Sequence, residues 1–136
     1  MTAVGGVSLA EPRPPYRSGH RLGRRGEEAA ARHLASRGLR ILERGFRSRA
    51  GEIDIVAQDG ETLVFVEVKS RSSLACGRPA EAVDSRKRRR LLNAASWYLL
   101  SRGGPERPCR FDVVEVLETP DGALRVGVVQ DAFGAP

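Results

Sequence analysis

The chain has 136 residues, 40% of them hydrophobic, which suffices for one domain with one core but not for two. Its net charge of +6 is typical of a protein that binds a polyanion. No apolar run approaches the roughly 20 residues of a membrane span, and the N-terminus has no apolar signal segment. These features argue against membrane and secreted classes and predict a cytoplasmic protein. Its two cysteines, Cys76 and Cys109, lack zinc-site spacing and are expected to be unpaired thiols.

The predicted elements follow the order α-β-β-β-α-β-β, between a flexible N-terminal tail and a C-terminal tail. Apolar residues at three- and four-residue intervals predict helices, and runs of alternating or β-branched residues between Gly and Pro signals predict strands. This gives a single domain over residues 20–130, between tails at 1–19 and 131–136. Within it we predict helices at about 20–37 and 80–101, a loop at 71–79, and strands at 39–47, 51–58, 62–70, 110–117 and 123–129.

Charged residues interrupt two of these apolar strands. Glu67 and Lys69 lie two apart in the third strand, so they project from one face, and Asp54 lies between isoleucines in the second. A turn at Asp59-Gly60 makes Asp54 a diagonal neighbour of Glu67, whereas a turn one residue later pairs the two directly. Both registers place the three charges together.

Two neighbouring carboxylates repel each other unless a cation lies between them. Lys69 supplies one positive charge, and a site of carboxylates, a backbone carbonyl and waters suits Mg²⁺ or Mn²⁺. Such a centre can activate water and neutralise charge on a phosphate, with Lys69 orienting the water or stabilising the phosphate. The pattern therefore favours a metal-dependent phosphodiesterase centre at Asp54, Glu67 and Lys69 over a solvated surface pair.

Lysine is rare in this chain, because only Lys69 and Lys87 accompany 21 arginines. Arginine substitutes poorly where a compact ammonium with a tunable pKa is needed, so both lysines are candidate functional residues. Lys87 ends the core-facing stripe of the second helix, and Trp97 and Tyr98 are predicted to pack in the core rather than to stack on bases.

Four motifs together resemble the bacterial UPF0102, or YraN-like, family. They are R-G-E-x-x-A at 25–30, G-E-I-D at 51–54, F-V-E-V-K-S-R at 65–71 and R-F-D-V-V at 110–114. The resemblance implies a restriction-endonuclease-like α/β fold of the PD-(D/E)XK superfamily, a central mixed sheet flanked by helices. It also suggests a likeness to archaeal Holliday junction resolvases.

The same resemblance implies a more complete site. Asp54 and Glu67 would be metal ligands, with the Val68 carbonyl a further one, Lys69 would be the catalytic lysine, and Glu27 the helix acid that completes the set. Ile53, Gly45 and Cys76 depart from the family pattern, although none of them removes a proposed ligand.

We expect nucleic-acid phosphates to contact the end of the third strand and the start of the second helix. Lys87 is assigned a supporting or phosphate-contacting role, and positive charge at a helix start is unfavourable without an anion. The candidate phosphate ligands are Arg71, Arg86, Lys87, Arg88, Arg89 and Arg90.

The leading hypothesis is an endonuclease that cuts DNA, including branched DNA, and the resolvase comparison implies a homodimer because two cuts need two sites. The alternatives are a nucleic-acid-binding module of the same fold without catalysis, and a protein-interaction domain with a basic surface. The fold alone does not decide among them.

Overall fold

We analysed a computed structural model that describes residues 17–73, 85–102 and 107–133. The predicted element order is confirmed, with two helices and five strands. They are α1 (Arg17–Ser36), β1 (Arg40–Arg47), β2 (Glu52–Asp59), β3 (Thr62–Ser72), α2 (Ser85–Arg102), β4 (Cys109–Glu118) and β5 (Leu124–Phe133).

The five strands form one mixed sheet in the order β1-β2-β3-β4-β5. The β3–β4 pair is parallel, because α2 provides the crossover between these strands, and the other pairs are antiparallel. The predicted α/β fold, with a central mixed sheet and flanking helices, is therefore confirmed.

Several element ends differ from the predicted ones. Strand β3 runs to Ser72, two residues into the predicted loop, and β5 runs to Phe133, three residues into the segment predicted as a tail. Phe133 is buried and packs in the core, which explains why the strand continues. The rest of the predicted loop, the predicted start of the second helix, Cys76 and most of the N-terminal tail lie outside the described residues.

The sheet separates two apolar layers. On the α1 side the layer is aliphatic and includes Ala30, Leu34, Val64 and Val66. On the α2 side it is rich in aromatic rings, which pack edge-to-face or stacked at centroid distances of 4.9 to 5.8 Å: Phe46, Phe65, Tyr98, Phe111 and Phe133. Both faces of β2 and β3 are thus covered, as their nearly continuous apolar sequences predict.

Helix α1 approaches the sheet closely at Gly26. A Cβ at this position would overlap the Ser70 hydroxyl and lie 3.1 Å from the Ser70 Cβ. The glycine of the R-G-E motif is therefore explained by close helix–strand packing, which positions the adjacent Glu27 over the sheet. No helix in the described parts of the chain is long and apolar enough to cross a membrane.

Candidate metal and phosphate site

The β2–β3 hairpin brings Asp54 and Glu67 together. Asp59 pairs with Thr62 and Ile55 with Val66, so the turn residues are Gly60 and Glu61, with φ of +63° at Gly60. The later of the two registers considered above is therefore correct, and the one that places Asp54 opposite Phe65 is wrong. Strand pairing ends at Ile55 and Val66, and the charge of Glu67 raises the pKa of Asp54, so the two carboxyl groups lie near each other just beyond the paired residues.

The backbone pairing between β2 and β3 ends at Ile55, and at Asp54 the side chain, rather than the backbone carbonyl, accepts the hydrogen bond from β3. Asp54 Oδ2 accepts a hydrogen bond of 2.8 Å from the backbone N–H of Val68. At the same point β2 changes its orientation, because Ile53 packs on the α2 side and Ile55, two residues on, packs on the α1 side. The side-chain bond thus joins β2 to β3 where regular pairing has stopped.

Glu67 is one of two buried charged residues in the described chain, with a residue exposure of 7%. Its Oε2 lies 2.6 Å from Lys87 Nζ, which reaches it from the first turns of α2. A buried carboxylate needs such a partner because leaving water costs several kcal/mol per ion. The prediction that Lys87 faces the sheet beside Leu91, Ala94 and Tyr98 is consistent with this contact, and those three residues are buried.

Among residues 17–73, 85–102 and 107–133, Asp54 has no cationic partner equivalent to Lys87. Burial first, and then the negative charge of Glu67, raise its pKa to about 7, while the hydrogen bond from the Val68 N–H acts in the opposite direction. Glu27 and Glu52 also raise this pKa through their charges. The site therefore contains two carboxyl groups and one ammonium, that of Lys87. A further positive charge would stabilise the ionised form of Asp54.

Lys69 continues the same strand face as Phe65 and Glu67. It pairs across the parallel β3–β4 ladder with Glu115, an exposed residue that the sequence motifs did not single out. No hydrogen bond or ion pair joins the Lys69 side chain to another residue among 17–73, 85–102 and 107–133, so its ammonium can turn toward a bound anion.

Glu27 lies near this site but is held by another residue. Arg44 Nε donates to Glu27 at 3.2 Å, and Arg44 Nη1 donates to Glu28 at 2.9 Å. In the described part of the chain no three His, Cys, Asp or Glu side chains converge closely enough to bind a metal ion alone. The acids that meet are two, Asp54 and Glu67. Arg44, on β1, was not among the predicted site residues, because nothing in the local sequence indicates that it would pair with Glu27 and Glu28 on α1.

Two carboxylates fit a hard divalent ion of the Mg²⁺ type, which commonly uses one or two carboxylates and keeps waters and substrate phosphate as its other ligands. The raised pKa of Asp54 is the physical sign of this fit, because added positive charge would stabilise its ionised form. Val68, predicted as a carbonyl ligand, contributes its N–H to Asp54 in this structure.

The predicted phosphate ligands do not all lie on one surface. Arg88 stacks over the Phe133 ring at 5.4 Å from its centroid, while Arg90 lies against Gly51 at the β1–β2 turn. Arg86 and Arg89 are exposed on α2, and Arg71 is half-buried at the end of β3. The basic residues therefore surround the start of α2 on both sides of Lys87.

Trp97 differs from the prediction. Tyr98 packs in the core as expected, but Trp97 is 45% exposed and lines a surface groove with β1. The helical spacing that implied packing fits Tyr98, and the adjacent residue is turned about 100° away from it.

By its structure the protein is a small α/β domain, with one five-stranded mixed sheet and two helices in the order α-β-β-β-α-β-β. The chain matches the model of the Uncharacterised protein family UPF0102 over residues 26–116. It is 54% identical over 115 residues to a UPF0102 protein of Symbiobacterium thermophilum, covering 85% of this chain and 98% of that protein. UPF0102 proteins of Moorella thermoacetica (54% over 114 residues, 83% and 95% covered) and Anaeromyxobacter dehalogenans (53% over 112, 82% and 83%) are similar. The protein belongs to the UPF0102 family, as its motifs indicated.

Proposed function

We propose that this protein is a metal-dependent nuclease that hydrolyses phosphodiester bonds in DNA, including branched DNA. The observation that carries the proposal is that burial and the nearby charge of Glu67 raise the pKa of Asp54 to about 7, with Lys69 two residues along β3 from Glu67. Repulsion between two carboxylates destabilises a fold in which they are only structural. A cation bound between them relieves this repulsion, and the relief contributes to the affinity for the cation.

The residues divide the chemistry among themselves. Asp54 and Glu67 would hold a divalent ion such as Mg²⁺ or Mn²⁺, which supplies charge neutralisation and a water of lowered pKa. Lys69 would orient the attacking water or stabilise charge on the phosphate. Lys87 would orient Glu67 through the 2.6 Å ion pair. By the same reading the substrate is DNA, and two cuts in a branched substrate require a homodimer.

One observation favours a second function, a DNA-binding module without catalysis. Glu67 and Glu27 already have cationic partners, Lys87 and Arg44, so two of the three acids are neutralised by the protein itself. In that case the acids are structural, and the arginines of α2 carry the function.

Metal binding and cleavage separate the two functions. We expect Mn²⁺ to bind the wild-type protein in calorimetry, and Asp54→Ala to remove that binding. Cleavage of a four-way DNA junction in Mg²⁺ or Mn²⁺ should then be lost in Lys69→Met, which keeps the metal ligands. Unchanged DNA affinity without cleavage in any divalent metal would contradict the nuclease and support the module.

A further inference from the structure

A groove lies between α2 and the β1–β2 turn, outside the carboxylate site. Its volume is about 500 Å³, within the range of small-ligand pockets. Trp97 forms part of its wall, and the charged lining consists of three arginines and one glutamate: Arg47, Arg49, Arg102 and Glu43. The groove thus combines a large exposed aromatic ring with an excess of positive charge.

The three arginines of this groove differ in whether they form an ion pair with another residue. Arg102 donates to Glu43 at 2.6 Å and stacks over the rings of Phe46 and Tyr98, and Arg47 pairs with Glu52 at 2.8 Å. Arg49 is exposed and forms no ion pair with any residue that the structure describes. It is available to bind an anion.

Hydrogen bonds within the β1–β2 turn close the loop that carries Arg49. Ser48 Oγ accepts hydrogen bonds from the N–H groups of Ala50 and Gly51, each at 3.2 Å, and the Ser48 N–H donates to the Gly51 carbonyl at 2.8 Å. These bonds close the loop on itself and leave the Arg49 side chain at its tip. Arg49 and Trp97 line the same groove, so the turn places a positive charge on the groove that holds the Trp97 ring.

Helix α2 borders both the groove, through Trp97, and the carboxylate site, through Lys87. Arg90, Asn93 and Trp97 follow one another at three- and four-residue intervals, so they share a face of the helix. Arg90 lies against Gly51 of the β1–β2 turn. Lys87, which lies about one helical turn before Arg90 in α2, forms the ion pair with Glu67. At 1.5 Å per residue, Trp97 lies about 15 Å along the helix from Lys87.

We propose that this groove binds an unpaired nucleotide of the DNA strand, with the base stacked on Trp97 and its phosphate at Arg49. The inference rests on the proposed function, and it assigns to the substrate a single-stranded segment next to the scissile bond. Bases stack on exposed aromatic rings irrespective of sequence, and an arginine-rich groove follows the backbone. A fully paired duplex keeps its bases inside and offers no ring to Trp97.

Trp97 is the only tryptophan of the chain, so its fluorescence reports on the groove alone. The full chain is titrated in EDTA, which prevents cleavage, with a ten-residue oligothymidylate, a blunt duplex and inorganic polyphosphate. We expect saturable quenching by the oligothymidylate and little by the other two. Equal quenching by polyphosphate or duplex would overturn the proposal, as would quenching that follows protein concentration without DNA, which would indicate a second copy in the groove.

Substitutions provide the second readout, by anisotropy of a labelled oligothymidylate. Trp97→Ala should weaken binding about tenfold, and Trp97→Phe should retain most of the affinity, since a ring remains. Arg49→Gln should weaken binding several-fold, whereas Arg40→Gln, an exposed arginine at the far end of β1, should not. Wild-type affinity in Trp97→Ala would overturn the proposal.

The two proposals can fail separately. Junction cleavage in metal, together with unchanged oligothymidylate binding by Trp97→Ala, would remove the groove from the mechanism and leave the nuclease intact. Loss of binding in Trp97→Ala without cleavage in any metal would leave the groove as a nucleic-acid site and remove the nuclease.

Discussion

Asp54 experiences two opposing effects in the folded protein. Burial, followed by the charge of Glu67, raises its pKa to about 7, while the hydrogen bond from Val68 N–H favours ionisation. The folded pKa is above the unfolded value, so the folded state binds the proton more tightly. The free energy of unfolding should therefore decrease as the pH rises from about 4 to about 7, by a few kcal/mol at most.

Asp54→Asn tests this effect, because the amide oxygen can still accept the Val68 N–H and carries no charge. We expect the variant to be more stable than wild type at pH 8 by roughly 2 to 4 kcal/mol and equal to it near pH 4. Urea unfolding at the two pH values in EDTA measures the difference. Excess Mg²⁺ at pH 8 should stabilise only the wild-type protein, because a ligand that binds the native state raises stability. A constant difference at both pH values would contradict the assignment.

The Lys87–Glu67 ion pair is a second effect at the residue scale. Glu67 has a side-chain exposure of 9%, whereas that of Lys87 is 45%. Removing the lysine leaves a buried carboxylate without this partner, so Lys87→Met should lower the free energy of unfolding by roughly 1 to 3 kcal/mol in EDTA. Arg89→Met, two residues along α2 and exposed, is the matched control and should change it by less than about 0.5 kcal/mol. Equal effects of the two substitutions would show that only the charge of the helix start matters.

At the scale of elements, the contact between α1 and β3 depends on one glycine. Gly26→Ala would place a Cβ against Ser70, and we expect it to destabilise the protein by about 1 to 3 kcal/mol. Gly23→Ala, in the same helix with no atom within 4 Å of the added Cβ, should instead stabilise it by about 0.5 to 1 kcal/mol. Thermal unfolding of both variants measures this, and recovery in Gly26→Ala/Ser70→Ala identifies the clash. A stabilising Gly26→Ala would mean that α1 can move away from the sheet.

Local sequence could predict the elements and the clustering of charges, because both follow from short-range periodicity. Alternation placed Glu67 and Lys69 on one face, and the hairpin turn placed Asp54 beside them in either register. It could not choose the register, because Asp59-Gly60 is a strong turn signal and the observed turn begins one residue later.

Contacts between distant elements were beyond that reasoning. The rarity of lysine marked Lys87 as unusual, but its partner Glu67 depends on how α2 packs across the sheet. The capture of Glu27 by Arg44 depends likewise on the position of α1 over β1. The exposure of Trp97 depends on which face of α2 the β1–β2 turn leaves open. The sequence shows the type of each of these residues, whereas tertiary packing determines which partners each one contacts.

For the whole molecule, the remaining question is whether a net charge of +6 or a particular basic surface attracts DNA. The two cases differ in salt dependence, because each phosphate neutralised at the interface releases counterions and contributes about −0.9 to the slope of log K against log salt. One group of arginines lies at the start of α2 around Lys87, whereas other exposed arginines lie just after α1, at the start of β1 and on β5.

Two triple variants with the same change in net charge separate these cases. Arg86→Gln/Arg89→Gln/Arg90→Gln removes three charges at the start of α2, and Arg37→Gln/Arg40→Gln/Arg125→Gln removes three exposed charges elsewhere. We expect the first to reduce the magnitude of the salt slope for junction DNA by about 2 to 3 and the second by less than about 1. Filter binding at salt concentrations from about 50 to about 200 mM measures the salt slope of each triple variant. Equal reductions would mean that the overall charge, rather than the surface around Lys87, directs DNA to this fold.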